Sequence, residues 1–176
     1  MPIEAGGGAV TFSALMLLFP VVLAIHNLDE ALGRADFASA WHRKLDPRLA
    51  DRRVRAAAAS LLTLAAATIA IANYLDSTAA SQLAARIAVF ALFLNAIGHC
   101  AISILKGRLL PGTVTAACLV IPFSVVALYS ARADVARSAQ AFLGHVALGA
   151  ITLPAAAYLS LWGGFAVNRI RDASRR

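Results

Sequence analysis

The chain has 176 residues, 60% of them hydrophobic and 14% charged, with a formal net charge of +7. A soluble domain carries roughly 25% charged residues, so an ordinary water-soluble fold is excluded. The positive charge lies between apolar stretches and not in one patch, which makes it a topology signal; nucleic acid is excluded as a partner and a lipid bilayer is expected.

Charges cluster at 29–55, 76, 86, 106–108, 132–137 and 169–176. The gaps between them approach the ~20 residues that a helix needs to cross a bilayer. They predict an all-α polytopic bundle of about five transmembrane helices, over about 9–31, 56–75, 84–105, 111–130 and 139–166. The whole chain, 1–176, reads as one transmembrane domain without an internal repeat.

The first span follows Glu4 and a glycine run in place of a basic region, so it is expected to stay as a helix and not to be cleaved as a signal peptide. Pro20 predicts a kink in it, as Pro122 and Pro154 do in spans four and five. The basic loop that follows is expected to hold a short interfacial helix around Phe37–Lys44, where Phe37 and Trp41 are spaced i, i+4. Span two is Ala-rich, which lets a neighbour approach closely. Cys100 in span three and Cys118 in span four are expected as buried free thiols.

Lys and Arg divide unevenly between the two sides. Arg34, Arg43, Lys44, Arg48, Arg52, Arg53, Arg55, Lys106, Arg108 and the tail arginines make thirteen on one side, against Arg86, Arg132 and Arg137 on the other. That bias predicts an external N-terminus and a cytoplasmic C-terminus, in a bacterial cytoplasmic membrane.

Imidazoles and carboxylates inside a span are expensive and tend to be functional. His26, Asp29 and Glu30 stand at i, i+3 and i+4, on one helical face. His26 is eight residues from Arg34, and His99 is seven from Lys106. At ~1.5 Å per residue both lie roughly 10–12 Å from the same boundary, on different helices. Asn95 is one turn deeper than His99 on the same face. His145 and Asn73 fall towards the opposite surface and are expected to stay apart from this group. The role of His42 is left open.

Three chemistries are open for the cluster. His26, Glu30 and His99 suit a divalent metal (zinc, iron or manganese), with Asp29 and Asn95 as outer partners or substrate contacts. Alternatively, Glu30 and Asp29 act as catalytic acid and base without a metal. The third reading is a structural hydrogen-bonded network near the interface.

The stretches "HNLDE" at 26–30, "NAIGHC" at 95–100 and "LLPGTVTAACLVIPFS" at 109–124 resemble the HXXEE family of small bacterial membrane proteins. The His-x-x-Glu-Glu motif maps onto His26, Asp29 and Glu30; position 29 departs from it, keeping the charge on a side chain one methylene shorter. Asn95 with His99, and Pro111 with Gly112, match the family's other short motifs. The resemblance runs from span one through span four. It implies a multi-span fold and a shared polar site, and it supplies no reaction.

Three functions follow. The leading one is an intramembrane enzyme acting on a lipophilic small molecule. The second is a transporter or permease for metal or protons, which would need an outer polar ladder and, for lack of inverted repeats, a homo-oligomer. The third is a non-catalytic membrane assembly or partner protein.

Overall fold

The computed structural model describes residues 11–32, 44 and 46–175. The proposed interfacial helix around Phe37–Lys44 and His42 lie outside the described residues, apart from Lys44 itself. The described residues form helices without strands, and five helical stretches are long and apolar enough to cross a membrane.

The first stretch is two pieces, α1 (Phe12–Met16) and α2 (Phe19–Leu32). The expected kink is a break at Leu17–Leu18, because Pro20 has no N–H to donate back to the Met16 carbonyl. Next come a 3₁₀ turn, Pro47–Ala50, and α3 (Arg52–Leu75). The Asp46 side chain accepts from the Arg48 backbone and guanidinium, which holds its carboxyl below the ordinary carboxylate value. Arg48 in turn lies over Trp162 and Phe165, tying the turn to the last helix.

α3 starts earlier than its hydropathy suggests because Asp51 caps it, accepting from the Arg53 N–H at 2.6 Å. Thr78 does the same for α4 (Ala79–Leu105), and Ser138 for the last helix. The fourth stretch is not a regular helix. It consists of a single turn, α5 (Thr113–Thr115), a π-helical segment, Ala116–Val120, and α6 (Ile121–Ser130). The widened segment lies where Pro122 can neither donate to the Cys118 carbonyl nor tolerate it at α-helical distance. A short α7 (Arg132–Val135) leads to α8 (Ala139–Ala173), which runs beyond the expected end at 166 and passes through Pro154 without interruption.

α3 packs against α2, α4 and α8; α8 also packs against α4; and α4 packs against the π segment and α6. The α3–α8 contact is close: a Cβ on Gly164 would lie 2.4 Å from the Val54 carbonyl oxygen, so only glycine fits. The core is built from Met16, Phe19, Val22, Ala66, Val89, Leu92 and Val120. Large apolar side chains cover the outside of the bundle, with Leu64 64% and Leu159 68% exposed. Both cysteines are free, as expected, but neither is fully buried: Cys100 is half-buried against the core, and Cys118 is exposed, facing outward from the π segment.

Candidate functional site

The site lies where α2, α4 and the start of the fourth stretch meet. α2 touches α4 chiefly through side chains here, its backbone packing against α3 and the π segment. His26 is fully buried. Its ring meets that of His99 edge to face, with centroids 5.1 Å apart. Glu30, one turn after His26, puts Oε1 2.6 Å from His99 Nε2 and 3.5 Å from His26 Nε2. One ligand atom from each of His26, Glu30 and His99 lies within 4.8 Å of the other two.

A second layer orients His26. Its Nδ1 is 2.9 Å from Thr115 Oγ1, and that hydroxyl is 2.8 Å from Asp29 Oδ2. The hydroxyl also lies 3.1 Å from the Gly112 carbonyl oxygen; carboxylate and carbonyl only accept, so its single proton goes to one of these two, of which Asp29 is the nearer and the charged one. The hydroxyl oxygen then accepts from His26 Nδ1–H, and Nε2 is left with its lone pair facing Glu30. Asn95 Nδ2 donates to that lone pair at 3.1 Å. The chain Asp29–Thr115–His26 is the outer support that metal-ligating and basic histidines use.

The turn after α4 makes this convergence possible. Gly107 ends the helix at φ +60, and Ser103 Oγ accepts from the Leu110 N–H and meets the Thr113 hydroxyl. Gly112 then has φ +83, in the left-handed region, and stands directly against the cluster. A Cβ there would lie 2.8 Å from Glu30 Cγ, 3.1 Å from His99 Cε1 and 3.2 Å from His26 Cε1. The Pro-Gly pair is thus the floor of the site.

The structure brings together all five residues singled out in the sequence: His26, Asp29, Glu30, Asn95 and His99. Asp29 joins through Thr115 and not directly. His145 stays apart; its Nδ1 donates to the Ala141 carbonyl at 2.7 Å and its ring lies against Phe90. Asn73 is held by Ser13, also away from the cluster. Sequence reasoning missed Thr115 and Asn27. Thr115 stands in the "PGTVT" stretch, but its partner is fixed by the helix irregularity that follows it. Asn27, adjacent to His26, lines a cavity of about 230 Å³ between α2, α3, α4 and α8, together with Glu30 and Asn95.

The fold and site define a helical protein of membrane-spanning dimensions with a partly buried His–carboxylate cluster near one end. The chain belongs to the HXXEE family: the family's model, described as a protein of unknown function with HXXEE motif, matches residues 17–127, more than half of the chain. Neither the curated proteins nor the solved structures yield a match.

Proposed function

We propose that the chain is an intramembrane enzyme acting on a lipophilic substrate, and that His26, Glu30 and His99 hold a divalent metal ion at its centre. The observation that carries this reading is the convergence of two imidazole nitrogens and one carboxylate oxygen, with Thr115 and Asp29 setting the tautomer that turns the His26 lone pair to the cluster, where an ion would replace Asn95 as its partner. Two histidines and a carboxylate form a ligand set of hydrolytic zinc sites, which keep a position open for water or substrate, and of non-haem iron triads. A metal there supplies a Lewis acid or an activated water. Asn95 and Asp29 serve as supporting groups.

An enzyme fits better than a conduit because the polar cluster is confined to one level. Towards the other end, Arg86 and Asp134 are paired, Asn73 is tied to Ser13, and apolar core lies between. It also fits better than a purely structural network, since Glu30 of the cluster and the neighbouring Asn95 line a cavity. The charge bias supports a bacterial cytoplasmic membrane with the site near the inner face.

The test is elemental analysis of the purified full chain. About one zinc, iron or manganese ion per chain is expected, falling at least tenfold in His99→Ala and Glu30→Gln. The 2.6 Å contact of Glu30 with His99 favours one alternative, a metal-free acid–base pair. A wild-type protein that takes up no metal under loading would replace the metal reading with that one.

A further inference from the structure

We propose that the cavity between α2, α3, α4 and α8 seats a single straight acyl chain, and that Asn27 binds the uncharged ester or amide carbonyl at its head. The inference deepens the enzyme reading by naming a substrate class, and it rests on that reading for what happens at the head.

The shape argues for one chain. Along α2 the cavity wall runs from Phe19 to Glu30, eleven residues or roughly 16 Å of helix rise. Its volume over that length is only about 230 Å³, below the ~300–1,000 Å³ of ordinary small-molecule pockets. The space exists because Ala66, Ala88, Ala91 and Ala156 face it where larger side chains would close it. The α8 wall is made by residues on both sides of Pro154, including Thr152 and Ala156.

The polar end argues for the head. Asn27, Glu30 and Asn95 stand in the cavity wall, and Glu30 belongs to the cluster with His26 and His99. The Asn27 Nδ2 is buried without a hydrogen-bond partner among the described residues. A buried donor without an acceptor is costly, and rotation of the Asn27 amide towards the cavity it lines would bring it to a carbonyl oxygen there. An uncharged carbonyl matches the neutral amide of Asn27, which offers no countercharge to an anionic head.

The probe is a methyl ester of a straight-chain acid carrying a diazirine at its tail, photolysed with the full chain in nanodiscs and mapped by peptide mass spectrometry. Labelling is expected on the cavity walls at Ala66 and Ala156. Competition by unlabelled methyl esters of increasing chain length should pass through an optimum. Asn27→Leu should weaken that competition about tenfold, the loss of one hydrogen bond. Ala156→Leu, on a different helix, should shift the optimum to shorter chains without the Asn27 change. Elemental analysis of the wild-type chain reads the metal independently of ester competition, so failure of the metal reading is separable from failure of this one. Labels confined to the outer surface, at residues such as Leu64 and Leu159, would overturn the proposal. So would an Asn27→Leu protein that competes as the wild type does, or an Ala156→Leu protein with an unchanged optimum.

Discussion

Thr115 is the residue whose role is most specific to this geometry. Its hydroxyl is the only link between Asp29 and the His26 ring described here, accepting from one and donating to the other. Thr115→Val keeps the shape and removes the link, leaving Nδ1–H of a buried imidazole without its acceptor. Metal affinity is expected to fall about 10–100-fold, the usual effect of losing an outer-shell partner, with Thr115→Ser restoring most of it; competition with a chelator measures both. Gly112 is constrained twice, by φ +83 and by the 2.8 Å that a Cβ would leave to Glu30 Cγ. Gly112→Ala should destabilise the protein by about 1–2 kcal/mol from the backbone alone and displace the Glu30 carboxylate as well. Thermal unfolding in detergent and metal content should therefore both drop; an unchanged metal content would mean that the glycine matters only to the turn.

At the scale of elements, the π segment sets the register of the site. Pro122 excludes a regular α-helix through Cys118, and the wider segment fixes how Thr113–Thr115 are rotated against α2. Pro122→Ala permits a regular helix to compete. It is expected to weaken metal binding while helicity by circular dichroism stays constant; equal binding would detach the bulge from the site. The α3–α8 seam is the second element-level test. Gly164→Leu forces a side chain into the Val54 and Ala58 backbone and should cost about 1–3 kcal/mol, or separate the helices, without touching the cluster directly. Much of this was legible in the sequence. The charge gaps located the five stretches, since a spanning helix excludes charge whatever its neighbours. The shared depth of His26 and His99 followed from counting residues to Arg34 and Lys106. What was not legible depends on backbone irregularity. Pro20 and Pro122 announced disturbance, but whether it became a break or a π segment is decided by packing. Helix ends were set by Asp51 and Thr78 caps outside the apolar runs. Thr115 and Asn27 look like ordinary polar residues until the fourth stretch and α8 are in place.

For the molecule as a whole, large exposed apolar side chains on five helices of spanning length fit a lipid bilayer, and the His–carboxylate cluster lies near one end. The charge bias predicts which face: a reporter fused after Arg176 should read cytoplasmic, and one inserted at Ser77–Thr78 should read external. The reverse result would move the site to the outer leaflet. The proposed function depends most on His26, Glu30 and His99 acting on one ion. X-ray absorption of the zinc-loaded full chain tests that directly. Two imidazole nitrogens at about 2.0–2.1 Å and carboxylate oxygen are predicted in the first shell, with one imidazole lost in His99→Ala. A shell of oxygen alone, or the same spectrum in wild type and His99→Ala, would contradict it.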